Sequence, residues 1–240
     1  KNDSVAINNL AFCYFKIGKY EKAIKLLYNA LALDNKNHFF MYNLANAYKD
    51  IDELEKAEEF YNKAIKFNPK NQNYLFNKSL VLLKKRNYIK AWPLYDIRIG
   101  LRNKNDKIYN LIKKNIYLNN KLPNNKNCKI CVMPEQGIGD QLLFSTMYND
   151  FLKRYPKAFI FTDKRLRNTF QNTFKFNNFV NQENIGKIKE LIKNKYKFLY
   201  AASLGKFFRN NIKDFSNAIK LKVNINIKNK IKKKLEKYKK

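Results

Sequence analysis

Two stretches of this chain superimpose without a gap: "YEKAIKLLYNALALDNKN" at 20–37 and "LEKAEEFYNKAIKFNPKN" at 54–71. Ala23 and Ala57 lie 34 positions apart, and the same step again lands on Ala91 in "YIKAWPLYDIR". This period constrains the fold more than any other feature of the sequence. A unit of a few tens of residues cannot bury its apolar face alone, so neighbouring units must stack, and about three are needed for a stable array. Small residues at fixed spacing let paired helices approach, and larger ones fill the groove between them.

The period and its residues resemble the tetratricopeptide repeat (TPR), a helix-turn-helix unit. In the first repeat Leu10, Ala11 and Tyr14 fall on the first helix and Ala23, Leu27 and Ala30 on the second, with Asn35 where proline is usual. The second repeat carries Leu44, Ala45, Tyr48, Ala57, Tyr61, Ala64 and Pro69, nearly the full pattern. The third is degenerate: Ala91 and Tyr95 fit, but Lys78 replaces a core leucine and Arg98 a small residue. It reads as a terminal or docking unit. Such repeats bind peptides in a groove or pack on a neighbouring domain, and the tyrosines and phenylalanines along these helices read as core.

With 45% hydrophobic and 15% aromatic residues, the chain can bury a core. The formal charge of +31 invites a nucleic-acid reading. Lysine is scattered along every segment, however, among Asn, Ile, Tyr and Phe. Those residues share A/T-rich codons, so base composition accounts for the excess and no specific nucleic-acid site is expected. The nearest thing to a basic stripe, "KNKIKKKLEKYKK" at 228–240, reads as a solvated amphipathic linker helix with Ile231, Leu235 and Tyr238 inward. A charge-driven polyanion binder would show steep salt dependence. No apolar run approaches the ~20 residues of a membrane span, and no secretory signal opens the chain. The polar start without Met and the still-periodic end read as a piece of a longer protein. His38 is the lone histidine, which excludes a histidine-based metal site or triad. Cys128 and Cys131 form a C-x-x-C inside "CKICVM", but residues three apart on a strand point to opposite faces. Neither a zinc site nor a redox pair is expected, nor any other metal or cofactor.

From Cys128 the texture changes. "CKICVM" (128–133) and "AFIFT" (158–162) read as buried parallel strands, "KFNNFV" and "KFLYAA" as weaker ones. Helical patterns lie between them: "DQLLFSTMYNDFLKRY", "DKRLRNTFQNTF" with Asp163 as N-cap, and "IGKIKELIKNK". Alternation of this kind predicts a parallel sheet with helices on its faces and a ligand site at the carboxyl ends of the strands. At the end of the first strand stands "PEQGIGD", which spends two of only 6 glycines. Gly137 and Gly139 are expected to permit a tight turn and close approach of a ligand to backbone. The motif is neither a dinucleotide fingerprint, since Leu142 stands where the third glycine belongs, nor a Walker loop. Asp140 at the start of the next helix reads as an N-cap. A helix start also keeps its carboxylate ionised, so it could serve as a general base as well.

Three segments together resemble one bacterial family: "AWPLYDIR" (91–98), "EQGIGDQLLF" (135–144) and "SLGKFFRNNIKDF" (203–215). They are similar to TPR proteins whose C-terminal part is a glycosyltransferase family 9-like domain, related to the ADP-heptose:lipopolysaccharide heptosyltransferases. The resemblance implies a TPR α-solenoid followed by a Rossmann-like parallel-sheet domain, the acceptor-side half of a GT-B fold. It implies a nucleotide-sugar donor, a protein, lipid or cell-envelope glycan acceptor, and metal-independent displacement. Asp140 would take the acceptor proton, with Gly139 beside it. Glu135, Gln136, Gly137 and Gln141 would line the substrate side. Gly205 stands where the family has proline. A cytoplasmic location, or a peripheral one at the inner membrane, is implied too. The expected layout is repeats over 1–104, a linker over 105–126, the sheet domain over 127–226 and a linker helix over 227–240. A donor domain would follow, so the fragment alone should not turn over. The alternative is a TPR interaction scaffold whose sheet domain is catalytically inactive.

Overall fold

The computed structural model describes residues 3–101, 106–215, 219–222 and the single positions 225, 228, 229, 232 and 236. Of the expected terminal helix, Lys228, Asn229, Lys232 and Glu236 are helical and exposed, whereas Ile231, Leu235 and Tyr238 lie outside the described residues. The chain divides into two compact units, Lys1–Asn103 and Lys104–Lys240.

The first unit is a run of helical hairpins: α1 (Ser4–Lys16) with α2 (Tyr20–Leu33), α3 (His38–Asp50) with α4 (Leu54–Phe67), and α5 (Gln72–Lys84) with α6 (Tyr88–Tyr95). The 34-residue step governs more than the small residues. Asp3, Asn37 and Asn71 are the N-caps of α1, α3 and α5, each side chain accepting from the backbone N–H two residues on. Gly18, Asp52 and Arg86 close the same three helices in left-handed geometry, with φ of 74°, 64° and 58°. Only the first of them is glycine, the residue that takes this conformation without steric cost. Ala11, Ala45 and Ser79 are fully buried where helices of a pair meet, as are Ala23, Ala57 and Ala91. Lys78 is therefore only half the story of the third repeat: Ser79 keeps the small position, and its hydroxyl donates to the Phe76 carbonyl.

The third hairpin ends the pattern at Arg98, which occupies the position of Ala30 and Ala64 and is 1% exposed. Pro93 sits inside α6, where it removes a helical hydrogen bond and crowds the preceding turn. The helix stops at Tyr95, and α7 (Arg98–Leu101) starts afresh. The Arg98 guanidinium donates to the Tyr95 carbonyl and to Asp96 Oδ1, both at 3.2 Å, and lies 4.5 Å from the Tyr95 ring centroid. The "WPLYDIR" segment thus folds a buried charge onto partners in its own turn.

The second unit begins with α8 (Lys107–Ile112). Its residues Ile108, Leu111 and Ile112 pack against one face of a sheet. Ile116 bridges Phe198, the Tyr117 N–H donates to the Phe198 carbonyl, and Leu122 is buried in the core of the other face. The stretch read as a linker is, from 106 to 126, part of the sheet unit, because its apolar residues are what covers the sheet. Strands β1 (Ile130–Met133), β2 (Phe159–Thr162), β3 (Phe179–Asn181) and β4 (Lys197–Tyr200) are all parallel, in the order β3-β2-β1-β4. Ile130 and Val132 enter one core with Ile160 and Leu199, while Cys131 and Met133 enter the other with Phe161 and Phe198. Both faces are covered, which explains the continuous apolar run of β1. Cys128 and Cys131 serve opposite faces, as the spacing requires.

The helix expected over 140–155 breaks into α9 (Ile138–Phe144), a 3-10 turn at Ser145–Met147 and α10 (Tyr148–Arg154). The Ser145 and Thr146 hydroxyls donate to the carbonyls three residues back, competing with the regular helical ladder. The rest is α11 (Lys164–Phe174), capped by Asp163 as expected, α12 (Ile185–Lys193), and α13 (Gly205–Phe208) after a 3-10 turn at Ala201–Leu204. Gly205 has a φ of −53°, a value proline also adopts. Among the described residues no helix is long and apolar enough to cross a membrane.

Overpacking should expose the role of the small residues. Ala57→Leu is expected to destabilise the first unit by about 1–3 kcal/mol. Leu10→Ala, at a site 50% exposed, should change stability by less than about 0.5 kcal/mol. Urea unfolding followed by far-UV circular dichroism checks both.

Candidate functional site

Each unit carries one candidate. In the first, Asn9, Asn43 and Asn77 recur at the repeat spacing on α1, α3 and α5. Asn43 Nδ2 donates to Asn8 Oδ1 at 2.7 Å, and Asn77 Nδ2 donates to the Tyr42 hydroxyl at 2.9 Å. Beside them opens a shallow recess lined by Ala11, Phe12, Phe15, Leu27, Asn43 and Asn46. Asn46 Oδ1 accepts from the Tyr61 hydroxyl. The core tyrosines are as expected: Tyr61 and Tyr74 are buried, and burial pushes the Tyr74 hydroxyl up to about 12. Phe12 differs. It is 48% exposed at the rim of the recess, where core was expected, and Tyr28, Phe39 and Phe67 are exposed too.

In the second unit the candidate lies at the carboxyl ends of the strands. The order β3-β2-β1-β4 reverses between β1 and β4, because the chain leaves β1 towards β2 on one side and returns to β4 on the other. Ligand crevices of open parallel sheets form at such a reversal. "PEQGIGDQ" follows β1 there, and the structure sorts its residues into two kinds.

Glu135 and Gln141 are buried fixtures. Glu135 is 4% exposed, and its Oε1 accepts from the Ala202 N–H at 3.0 Å, crossing from the end of β1 to the end of β4. Gln141 is 1% exposed. Its Nε2 donates to the Glu135 carbonyl and to Gln182 Oε1, both at 3.1 Å. Its Oε1 accepts from Thr162 Oγ1 at 3.0 Å and from the Asp163 N–H at 2.9 Å. Two donors and two acceptor sites complete the capacity of an amide. Close by, the Tyr148 hydroxyl is buried without a hydrogen-bond partner among the described residues, and burial, then the Glu135 charge, push its pKa up.

Gln136, Gly137 and Gly139 are exposed and Asp140 is half-buried. The expected cap is corrected here. Gly137 is the N-cap of α9, with no side-chain cap bond, and Asp140 stands three residues further on, in the first turn. The conformational argument for glycine is corrected too. Gly137 has an ordinary extended backbone, φ −86° and ψ 147°, and neither glycine of the motif has a positive φ. What Gly137 supplies is space: a Cβ there would lie 3.1 Å from Asp140 Oδ2. The carboxylate folds back over the bare N-cap. A Cβ on Gly139 would meet nothing within 4 Å, so the first turn is open on that side.

The 3-10 turn Ala201–Leu204, in which the segment "SLGKFFRNNIKDF" begins, meets α9 from the β4 side. Ala202 binds Glu135, and Arg209, 4% exposed, donates through Nη1 to Asp150 Oδ2 and through Nη2 to the Thr146 carbonyl, both at 2.8 Å. Two of the three quoted segments therefore converge. Thr162, Gln182, Asp150 and Arg209 were not singled out from sequence. Only an arginine inside an apolar stretch could have hinted at the last. Among the described residues no group of three or more His, Cys, Asp or Glu side chains could hold a metal ion.

Comparison with known proteins bears on the first unit. Residues 3–70 match the family model of the tetratricopeptide repeat. The first two helical hairpins are tetratricopeptide repeats. The chain is similar to the first TPR of Spaghetti (RPAP3) bound to an HSP90 peptide, at 22% identity over 46% of this chain and 88% of that one, TM-score 0.40. It is similar to the Sgt2 TPR domain from Aspergillus fumigatus, at 24% identity over 43% and 69%, TM-score 0.40. It is also similar to the Yersinia enterocolitica type III secretion chaperone SycD in complex with a peptide of the translocator YopD, at 21% identity over 45% and 83%, TM-score 0.39. No curated protein matches the chain.

Gln141→Ala is expected to leave four polar groups at the strand ends unpaired and to cost at least about 3 kcal/mol. Gln136→Ala, at an exposed site, should cost less than about 0.5 kcal/mol. Chemical denaturation distinguishes them. A pH signature belongs to Asp163, whose carboxylate accepts from the Arg165 side chain and backbone and is held from 3.8 down to about 2. Its folded pKa is depressed, so its stabilising effect is full above the ordinary value near 4 and is lost as pH falls towards 2. Asp163→Asn should flatten the stability profile in that window, measured by thermal melts across pH.

Proposed function

We propose that the protein is an interaction scaffold whose TPR repeats hold an uncharged, apolar-anchored peptide segment. The observation that carries this reading is the recess beside the asparagine row. Its lining is four apolar residues and two asparagines, with no charged side chain. Solenoid repeats use extended surfaces of this kind to bind partners. Side-chain amides both donate and accept, which suits the backbone of an extended peptide, and Phe12 offers an exposed aromatic anchor. Panning a displayed peptide library against the protein should enrich sequences with an apolar anchor rather than an acidic one. Phe12→Ala should weaken a selected peptide about tenfold, the loss of one modest anchor. Absence of enrichment, or binding indifferent to Phe12 and Asn43, would count against the reading.

A second reading is favoured by one specific observation: a half-buried carboxylate, Asp140, held over an open helix start at the reversal point of a parallel sheet. On this reading the sheet unit is the acceptor side of a sugar transferase. Asp140 takes the proton of an acceptor hydroxyl as its oxygen attacks the anomeric carbon, and the nucleoside diphosphate departs with the bonding electrons. Charge of the donor-binding half would receive that leaving group. The resemblance of "EQGIGDQLLF" to family 9-like glycosyltransferases supports it. Turnover of a panel of ADP-, UDP-, GDP- and CMP-sugars by the full-length protein, native against Asp140→Asn, tests it. Nucleotide release that collapses in the variant is the expected result, and absence of both turnover and donor binding leaves the scaffold alone.

A further inference from the structure

Positions 34 apart should be equally buried if each repeat had the same neighbours, and along one stripe of the first helix they are not. Leu10 is 50% exposed, whereas Leu44 is fully buried. Ala6 is exposed, whereas its counterparts Phe40 and Tyr74 are 2% exposed. Cys13 is exposed, whereas Ala47 and Val81 are fully buried. Ile17 continues the stripe at 64% exposure. These residues follow an i, i+4, i+7, i+11 spacing and so share one face of α1. In the second and third repeats this face is closed because the second helix of the repeat before packs on it, α2 on α3 and α4 on α5.

We infer that the outer face of α1 is a stacking surface for the second helix of a further TPR hairpin joined ahead of it on the same polypeptide. The interface it would make continues the two already present, with the same spacing and apolar character. A second copy of the chain fits less well. A stable dimer covers about 800 Å² on each partner, more than a stripe of an alanine, a leucine, a cysteine and an isoleucine supplies. A tethered helix needs no such area, because its effective concentration is set by the linker.

Cys13 is the natural reporter. In the 240-residue chain its thiol should react with Ellman's reagent at the rate of an exposed thiol, and sedimentation should show a monomer. A dimer dispersed by Leu10→Lys would identify a second copy as the occupant and overturn the proposal. Expressed from its own gene with its natural start, the protein should show Cys13 labelling slowed at least tenfold, and unchanged labelling there overturns the proposal as well. A chain with residues 38–71 duplicated directly before Ser4 keeps the 34-residue register. It should show the same protection and a higher melting temperature, and Leu10→Glu in that background should restore labelling while leaving the helical content intact. Should this fusion not fold, a duplicate of residues 4–37 in the same place serves instead. A folded fusion with a fully reactive Cys13 rejects the surface.

Discussion

One buried amide holds the strand-end site together. Gln141 sits in the first helix after β1, yet it reaches the end of β2 through Thr162 and Asp163 and the residue after β3 through Gln182, while binding its own loop at Glu135. Glu135 then extends the network to Ala202 beyond β4. The carboxyl ends of all four strands are thus cross-linked by two side chains of a single turn. Parallel strands as short as these, three or four residues each, offer few ladder bonds to fix the loops that follow them. A saturated, buried network supplies that rigidity, since each of its groups would cost free energy if it opened.

The repeats solve the same problem by different means. Their positioning is done largely by absent atoms: alanine or serine at each crossing lets helices pack closely, with hydrogen bonds at the caps and a few between helices, such as Asn43 to Asn8 and Tyr61 to Asn46. Arg98 shows why the array stops where it does. A guanidinium is far larger than the methyl groups of Ala30 and Ala64; Pro93 interrupts the helix ahead of it, α6 ends at Tyr95, and the charge is buried on Asp96 and the Tyr95 carbonyl. Removing one partner of such a buried pair is costlier than never having had it, which makes the break a fixed feature rather than a frayed end.

Legibility followed the range of the interaction. Helix existence, the alanine spacing, the buried strands and the Asp163 cap are local and could be read from neighbouring residues. The repeat register of the caps at Asp3, Asn37 and Asn71 was equally present in the sequence, but it is hidden by the many other asparagines. What stayed illegible depends on distant partners or on competition within a turn. The break after Phe144 needed the hydroxyl bonds of Ser145 and Thr146. The membership of 106–126 in the sheet unit needed the apolar faces that Ile112 and Leu122 cover. In the strand-end turn, residue types pointed to a candidate site but not to which of them were fixtures, because three of the four partners of Gln141 lie 21 to 41 positions away.

That division bears on how the turn should be dissected. Glu135 and Asp140 are both carboxylates of one motif, and loss of either would depress any activity of the site. Glu135 is buried and bonded across the sheet reversal, so its removal acts through the position of Ala202 and the loop. Asp140 is half-buried at an open helix start, and its nearest crowding partner is the missing Cβ of Gly137. A defect at Glu135 must therefore be accompanied by lost stability, whereas one at Asp140 need not be. Gly137 links the two kinds of residue: a side chain there would have to displace the Asp140 carboxylate, disturbing that half-buried group while leaving the buried network whole.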